Sequence, residues 1–285
     1  MRCVVCDLES WRRKFHRLNT DFAQCTNCGL IRMDPIPSVE QISAHYAKQF
    51  ATGNYALLQT YDSDYEAIYR QFLRFIRKFS VGSHEQTLIG IGCFTGRFLD
   101  VAQRAGFITY GVEYQAEAAR MANERHGGRV YCGAIESYSP PVGVTFDVVT
   151  AFGLLEHVTA PGITVRRVAN LLKPGGIFAI QTPNTASLPA RLLGRRWPPY
   201  APIEHIYYFS RTNMGLLLKR YGLRILKFSS HWKRLPMGYV YRQFQSFGPE
   251  YYRLASKIMP FVPRRALAWK LPVYGGEMLL VAEKS

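Results

Sequence analysis

Four of the six cysteines of this 285-residue chain lie in two close pairs near its start. Cys3 and Cys6 form the first pair, and Cys25 and Cys28 form the second, which gives the spacing C-x2-C-x18-C-x2-C. Two such pairs are typical of metal knuckles whose four thiolates complete a tetrahedral Zn²⁺ site. Because all four ligand positions would be filled by protein, the spacing predicts a structural zinc. Iron in the same geometry, disulfides and unbound thiols are the alternatives, and a reducing compartment disfavours disulfides.

A second candidate site lies in the segment TLIGIGCFTGRFLDVA, residues 87–102. Apolar residues run into Gly90, Gly92 and Gly96, and an amphipathic segment follows, which is typical of a strand, a tight binding turn and a helix. The spacing G-x-G-x-x-x-G differs from that of dinucleotide-binding loops, so the loop alone does not identify its ligand. Glu113 ends the next predicted strand, 21 residues after Gly92, where a carboxylate can accept both hydroxyls of a ribose. Together these residues favour an adenosine-type ligand.

Two acid–histidine pairs offer a general base. Glu156–His157 follows the fourth predicted strand of the main sheet, and Glu204–His205 lies in PIEHIYYFS, just beyond the fifth. Both pairs are therefore expected at the carboxyl ends of strands, where doubly wound sheets build their sites. Imidazole accepts protons near neutral pH. A structural hydrogen bond that fixes a loop is the alternative for each histidine.

The elements that must position these residues are an alternation of short apolar runs and helical patterns from residue 87 onward. This alternation predicts a Rossmann-like α/β fold with a doubly wound, mostly parallel sheet of seven strands. The strands are expected near 87–91, 108–112, 129–132, 146–151, 176–182, 223–228 and 277–282, and the helices near 96–105, 115–125, 162–171 and 211–221. The last strand follows a long interval without a helical pattern, and we expect it to be an antiparallel addition at the sheet edge.

Three parts are expected along the chain: a zinc ribbon at 1–33, a helical linker or lid at 34–84, and a main domain at 85–285 with basic inserts at 185–210 and 229–275. Ser38 and Gln41 form a capping-box pattern that predicts a helix over 39–50. Apolar spacing predicts a second helix over 63–79. These helices could cover the glycine-rich loop as a lid or simply pack against the main domain.

Two further segments follow the loop in order, FDVVTAFGLLEHV at 146–158 and LLKPGGIFAIQTPN at 171–184. With the loop, they resemble class I S-adenosylmethionine-dependent methyltransferases over about residues 85–230. The resemblance implies S-adenosylmethionine as the cofactor. The implied binding residues are Gly90, Gly92, Phe94, Thr95 and Gly96 in the loop, Glu113 and Tyr114 at the ribose, Ala134 and Ile135 at the adenine, and Phe152 below the sulfonium.

The chain departs from the family pattern at three of these positions. Gly90 stands where an acid usually steers the methionine ammonium, and Ala134 stands where an acid often binds the adenine amine. Phe94 replaces a glycine where backbone approaches the ligand, so the loop must tilt or the Phe94 side chain must point away. These losses leave a non-catalytic zinc-ribbon binding module open as an alternative.

The cysteine pairs and the pattern E-H-x-x-Y-F-S together resemble zinc-containing sugar methyltransferases, and in particular the nucleotide-deoxysugar C-methyltransferases. This resemblance implies that His205 is the catalytic base and that Glu204 orients or polarises it. Those enzymes carry a further C-terminal domain that is not expected in this shorter chain, which makes carbon methylation less expected. We therefore expect a hydroxyl, or else a carbon, of a sugar, glycan or lipid-linked glycan as the acceptor. Ubiquinone-type O-methyltransferases share the L-E-H segment. Their metal-binding version has a carboxylate where Gly153 stands, so a catalytic metal is not expected.

The formal net charge of +16 is confined to the second part of the chain. Residues 1–165 hold 16 basic and 16 acidic residues, and residues 166–285 hold 20 basic and 4 acidic ones. Such a field favours an anionic partner. In the inserts, basic residues interleave with bulky apolar ones, which suits an anionic glycan substrate or an anionic membrane surface. RNA is a less favoured partner, although some rRNA methyltransferases combine a zinc ribbon with this fold. The oligomeric state is not predicted.

Hydropathy and the first residues indicate where the protein is expected to act. No apolar run reaches about 18 residues, so no transmembrane helix is predicted. The segment MRCVVC has no apolar core of a signal peptide. We therefore expect a cytoplasmic protein, with peripheral binding at the inner face of the membrane as an option.

Overall fold

The computed structural model describes residues 1–38, 40–45, 62–80, 85–247 and 249–285. The strands are Trp11–Arg17 (β1), Thr20–Cys25 (β2), Ile31–Asp34 (β3), Thr87–Ile91 (β4), Ile108–Glu113 (β5), Val130–Cys132 (β6), Phe146–Phe152 (β7), Leu172–Pro183 (β8), Tyr207–Tyr208 (β9), Leu223–Ser230 (β10), Lys233–Pro236 (β11), Lys270–Val273 (β12) and Glu277–Lys284 (β13). The α-helices are Asp62–Ile76 (α1), Arg97–Arg104 (α2), Ala116–His126 (α3), Pro161–Leu171 (α4), Leu188–Leu193 (α5), Arg211–Lys219 (α6), Met237–Phe247 (α7) and Pro249–Ile258 (α8).

The main sheet has seven strands in the order β10-β13-β8-β7-β4-β5-β6. Strands β8, β7, β4, β5 and β6 are parallel, and β13 is antiparallel to both of its neighbours. The predicted doubly wound, mostly parallel fold is confirmed. The central strands read as apolar runs because helices cover both faces of a parallel sheet. Ile89, Val149 and Phe178 are accordingly 0% exposed.

Two expectations about the last part of the chain are wrong. Strand β13 does not lie at the sheet edge, because it inserts between β8 and β10 and leaves β10 as the edge strand. The interval before it is not free of helices, since it contains α7 and α8 as well as the β11–β12 hairpin.

The N-terminal segment forms a second sheet with a distant part of the chain. Its order is β1-β2-β3-β9, so the fourth strand comes from the segment that follows His205. Strand β3 pairs with β9 through Ile31 and Tyr208, and Met33 N–H donates to the Ile206 carbonyl at 2.9 Å. The cysteine-bearing segment is thereby connected directly to the E-H-x-x-Y-F-S segment.

The region between this segment and the main domain is only partly described. Residues 40–45 are helical, and Ser38 and Gln41 make the predicted reciprocal cap, with Ser38 N–H donating to Gln41 Oε1 at 2.9 Å. The remainder of the predicted 39–50 helix lies outside the described residues. The second predicted helix is present as α1. In the described parts of the chain, no helix is long and apolar enough to cross a membrane.

Candidate functional site

The glycine-rich turn joins β4 to α2 and has the backbone shape that its sequence requires. Gly92 and Gly96 have φ angles of 67° and 77°, in the left-handed region that favours glycine. Gly92 N–H donates to the Val112 carbonyl at 2.8 Å, which ties the turn to β5. A Cβ atom on Gly92 would lie 3.0 Å from Leu154 Cδ1, so both space and backbone conformation select glycine here.

Phe94 preserves the shape of the turn although it replaces a glycine. Its φ angle of 50° is left-handed, which costs about 1–2 kcal/mol for a residue with a side chain. Its backbone N–H donates to Glu113 Oε2 at 2.8 Å. The loop therefore keeps the glycine-type backbone at this position rather than tilting.

Glu113 is placed at the end of β5, where it meets the turn. The residue is 9% exposed, and its two carboxylate oxygens accept from Phe94 N–H and Gln115 N–H, both at 2.8 Å. Burial raises the pKa of Glu113, against the opposing effect of these backbone hydrogen bonds. Each oxygen has further acceptor capacity. The carboxylate thus lies at the end of β5, where the sequence predicts the ribose-binding acid, and that role stays a prediction.

The absence of an acid at position 90 has a packing explanation. Gly90 lies within β4, where a Cβ atom would be 3.1 Å from Leu99 Cδ2 and 3.3 Å from Cys93 Cβ. A Cβ on the neighbouring Gly111 would lie 2.7 Å from Cys93 Sγ. The Cys93 side chain occupies the space that these two glycines leave, so an Asp or Glu at position 90 would have to displace Leu99 or Cys93.

The other predicted cofactor residues surround the same end of the sheet. Tyr114 follows β5 and is 63% exposed, whereas Thr95, in the turn, is buried. Ala134 and the buried Ile135 begin a short 3-10 turn after β6. Phe152 ends β7, and its ring centroid lies 4.4 Å from that of Phe72 and 4.9 Å from that of Phe98. The aromatic wall at Phe152 therefore includes Phe72 of α1. From the sequence, this helix was predicted to be either a lid over the loop or a packing helix.

The two predicted histidines come together although 48 residues separate them. The rings of His157 and His205 meet edge to face, with centroids 4.8 Å apart. Glu156 lies beside them, with its Oε1 3.9 Å from His157 Nε2. Burial lowers the pKa of His205 and, with a further contribution from His205, lowers that of His157 to about 3. Both imidazoles are therefore neutral near pH 7.

Backbone groups hold this cluster in place. His205 Nδ1 lies 2.7 Å from the Pro199 carbonyl, so this nitrogen carries the proton and Nε2 is the basic atom. The Pro199 carbonyl orients the ring, and the predicted orienting or polarising role of the Glu204 carboxylate stays a prediction. Glu204 contributes its backbone, which hydrogen-bonds to His157.

Glu156 connects the end of β7 to the segment around His205. Its carboxyl is 3% exposed and accepts from Thr182 Oγ1 at 3.0 Å, and its carbonyl accepts from Ile206 N–H at 2.7 Å. Burial raises the pKa of Glu156 to about 8, so the group is protonated at neutral pH. The roles of Thr182 and Pro199 were not predicted: Thr182 lies in the segment at 171–184 that carries the family resemblance, but the resemblance implies no role for it, and Pro199 belongs to no motif.

Two groups of metal-ligating atoms occur among the described residues. The four predicted cysteines form one, with all ligand atoms within 4.8 Å of one another. Cys3 and Cys28 sulfurs are 3.5 Å apart and Cys6 and Cys25 sulfurs 3.6 Å, too far for disulfides and near the separation of about 3.8 Å in a tetrahedral zinc–thiolate site. Glu156, His157 and His205 form the second group at the same limit. The sequence does not predict a metal there, because Gly153 stands where the metal-binding ubiquinone-type enzymes carry a carboxylate.

Three features define a class I S-adenosylmethionine-dependent methyltransferase domain. They are the strand order of the main sheet, the glycine-rich turn after β4 and the Glu113 carboxylate at the end of β5. The comparison with known families agrees with this class. The chain belongs to the methyltransferase domain family, whose model matches residues 61–227.

Similar proteins of known name include ubiquinone biosynthesis O-methyltransferases. That of Idiomarina loihiensis is 31% identical over 117 residues, which are 39% of this chain and 48% of the relative. That of Nitrobacter winogradskyi is 30% identical over 149 residues, covering 50% of this chain and 48% of the relative. A trans-aconitate 2-methyltransferase of Rhodopseudomonas palustris is 31% identical over 40% of this chain and 45% of its own length. The chain thus matches about half the length of these relatives.

Solved structures share the fold at low sequence identity. The 1,6-didemethyltoxoflavin-N1-methyltransferase of Burkholderia thailandensis, solved with S-adenosylhomocysteine, is 13% identical with a TM-score of 0.54, covering 96% of this chain and 99% of that one. A methyltransferase of Archaeoglobus fulgidus is 16% identical with a TM-score of 0.55, covering 81% of this chain and 99% of that one. At this identity the similarity establishes the fold alone.

Proposed function

We propose that the protein transfers a methyl group from S-adenosylmethionine to a hydroxyl of a sugar or glycan, with His205 as general base. The observation that carries this proposal is the neutral His157–His205 pair at the carboxyl edge of the sheet. His157 lies in the segment that follows Phe152 at the end of β7, and His205 lies beyond β8. The ubiquinone relatives are named for O-methylation, which favours oxygen as the accepting atom. The sugar is favoured by the E-H-x-x-Y-F-S resemblance.

The turn and its neighbours would hold the cofactor. Gly92, Thr95 and Gly96 would bind its methionyl part, Glu113 its ribose and Ile135 its adenine. When bound, this cofactor supplies an electrophilic methyl group. The protein contributes by holding the acceptor in line with that methyl and by excluding water, which is where much of the rate enhancement of such a displacement originates.

His205 would remove the acceptor proton. Its Nε2 atom is basic because Nδ1–H donates to the Pro199 carbonyl, and burial keeps the ring neutral before the reaction. His157 would position the ring by its edge-to-face contact, and Glu156 would fix the segment through its carbonyl. A hydroxyl loses its proton as the oxygen–methyl bond forms, so His205 leaves the reaction as imidazolium.

We propose a structural Zn²⁺ for Cys3, Cys6, Cys25 and Cys28. The sulfur separations support it, and so does the lack of any open ligand position. Zinc would tie the turn at Cys3 and Cys6 to the end of β2 and to the turn between β2 and β3, and β3 pairs with β9. The metal would in this way stabilise the segment that places His205.

Exposed apolar residues on α8 and in the segment between α8 and β12 support an anionic membrane as the partner. Leu254, Ile258, Phe261 and Trp269 are 59–85% exposed, and no acidic residue occurs between residues 251 and 276. The interleaved basic side chains are Arg253, Lys257, Arg264, Arg265 and Lys270. A patch of large apolar side chains with basic neighbours fits the interface of an anionic bilayer. A lipid-linked glycan acceptor would be met there.

The membrane proposal is tested by sedimentation with vesicles. Wild type is expected to bind vesicles of phosphatidylglycerol and phosphatidylcholine at low salt, and Phe261→Asp with Ile258→Asp is expected to abolish binding. Leu18→Asp, at an exposed apolar residue outside the patch, serves as the control. Equal binding by all three proteins, or none by wild type, would refute the membrane proposal.

The catalytic proposal is tested with methyl-labelled S-adenosylmethionine. Acceptors are nucleotide-linked hexoses, a polyprenyl-linked oligosaccharide, and bulk tRNA and rRNA. We expect label in a hexose or glycan as an alkali-stable methyl ether. Incorporation into RNA instead would support the RNA methyltransferase alternative, and the absence of cofactor binding would support a non-catalytic zinc-ribbon module.

A further inference from the structure

A second polar cluster, made of residues far apart in sequence, lies at the same edge of the main sheet. Glu277 begins β13 opposite Pro183 at the end of β8, and Lys233 begins β11. The Lys233 ammonium lies 2.6 Å from Glu277 Oε1, and Gln181 Nε2 donates to Glu277 Oε2 at 2.8 Å. The side chains of Lys233 and Glu277 are 25% and 21% exposed. This ion pair is therefore largely shielded from solvent while keeping an accessible side.

Gly153 joins this cluster to the candidate catalytic residues. Its N–H donates to the Gln181 carbonyl at 2.9 Å, directly after Phe152. A Cβ atom on Gly153 would lie 3.8 Å from Gln181 Oε1 and 4.0 Å from Glu156 Oε1. The Gln181 side chain, which donates to Glu277, thus separates the ion pair from the Glu156–His157–His205 group. The charge of Glu277 raises the pKa of His205, against the larger effect of burial.

His231 provides an independent sign that this cluster binds a ligand. The residue is 5% exposed and packs on Phe72 with ring centroids 4.7 Å apart, yet its Nε2 has no hydrogen-bond partner among the described residues. Its backbone N–H donates to the Glu277 carbonyl at 3.1 Å, so it belongs to the same cluster. A buried nitrogen without a partner is costly and calls for a polar group to complete it.

Two aromatic rings flank the cluster. Trp232, 56% exposed, stacks on Tyr274 with centroids 5.1 Å apart and an interplanar angle of 23°. Trp232 follows His231, and Tyr274 lies three residues before Glu277. The residues next to the cluster in sequence therefore include an exposed aromatic side chain of the kind that packs on the apolar faces of a sugar ring.

We infer that Glu277, Lys233 and His231 form the subsite that binds a vicinal diol of the acceptor. A hydroxyl both donates and accepts, so one can donate to the Glu277 carboxylate and accept from the Lys233 ammonium, while its neighbour pairs with His231 Nε2. This inference rests on the proposed function, and it adds the chemical group of the acceptor that the protein would recognise, a vicinal diol. A buried ion pair by itself is weak evidence for a stabilising role, whereas a site that reads hydroxyls needs such groups.

The test measures binding separately from methyl transfer. The protein, saturated with S-adenosylhomocysteine, is titrated with dTDP-, UDP- and GDP-linked hexoses, and binding is followed by saturation-transfer NMR and calorimetry. The variants are His231→Phe, which keeps the ring packed on Phe72, and Lys233→Met with Glu277→Gln, which removes both charges together. Glu283→Gln, at the far end of β13 and paired with Arg224, is the matched control.

We expect at least one hexose to bind wild type and Glu283→Gln equally, and each site variant to bind it about 10- to 100-fold more weakly. S-adenosylhomocysteine affinity should not change, which shows that the variants are folded. The subsite is refuted if the site variants bind as the control does, or if no hexose binds wild type at millimolar concentration. Failure of the proposed function gives a different result: the hexose binds through these residues but never receives the labelled methyl.

Discussion

The imidazole rings of His157 and His205 meet edge to face at a centroid distance of 4.8 Å, although they come from different loops. The Glu156 carbonyl, which accepts from Ile206 and Tyr207, holds the two loops together. Each histidine is held by a backbone group, at Glu204 and Pro199 respectively. The arrangement fixes one basic nitrogen, His205 Nε2, which is the requirement for a general base.

Replacing the base should affect turnover and leave cofactor binding unchanged. We expect His205→Ala to lower kcat by about 10²- to 10⁴-fold, because the acceptor proton then has no positioned acceptor. Affinity for S-adenosylhomocysteine, measured by calorimetry, should equal that of wild type. The exposed His16, changed to Ala, is the control. A decrease of less than about tenfold in kcat would assign the role to His157 or to no side chain.

The pH profile of kcat should reflect the environment of His205. Burial lowers the pKa of His205, so the acidic limb should lie below pH 6.5, the usual value for histidine. Glu277 opposes this shift by favouring the imidazolium. Because Glu277→Gln removes that influence, it should move the acidic limb to still lower pH. An acidic limb above pH 6.5 in wild type would contradict the assignment.

Substitutions at positions 94 and 90 of the glycine-rich segment should affect the free energy of unfolding differently. Phe94→Gly should change the unfolding free energy by less than about 1 kcal/mol, since relief of the left-handed strain offsets the greater entropy of glycine. Gly90→Asp should lower it by at least about 2 kcal/mol, because it places a charged side chain against Leu99 and Cys93. Gly90→Ala adds a Cβ atom without a charge, so comparing it with Gly90→Asp separates the effect of packing on stability from that of the charge. Chemical denaturation measures all three variants, and equal stability of Gly90→Asp and wild type would refute the packing argument.

The metal prediction links the cysteines to catalysis. Purified protein should contain one zinc per chain by mass spectrometry, and Cys25→Ser should lose it and unfold at lower denaturant concentration. Turnover should fall as well, because β3 carries β9 and hence the His205 segment. Cys132→Ser, at an exposed cysteine outside the cluster, should retain zinc and activity. Zinc retained in Cys25→Ser would contradict the ribbon, and a second metal per chain would indicate that Glu156, His157 and His205 also bind one.

Much of the fold could be predicted because its signals are local. The predicted bounds of the strand at 87–91 are those of β4, and the apolar runs and amphipathic spacing locate the other six strands of the main sheet to within a few residues. The position of β13 could not be predicted, because nothing local to an apolar run indicates which strands will pair with it. The two-residue strand β9 is likewise defined only by its partner, β3.

The same distinction applies to the site. Glu113, His157 and His205 were predictable because each lies in a motif or just after a predicted strand. Glu277, Lys233 and His231 were not, because an isolated acid, base and histidine carry no spacing that links them. The space that Cys93 fills beside Gly90 and Gly111 depends on the packing of α2, which the sequence does not specify at that detail.

Titration of S-adenosylhomocysteine into zinc-replete protein tests the central claim most directly. We predict one site per chain with micromolar affinity, because the turn keeps its glycine-type shape at Phe94 and Glu113 is positioned for the ribose. Glu113→Ala should weaken binding by at least about tenfold, and Glu117→Ala, on the exposed surface of α3, should not. Failure of wild type to bind at millimolar concentration would contradict the claim that this domain is a working methyltransferase.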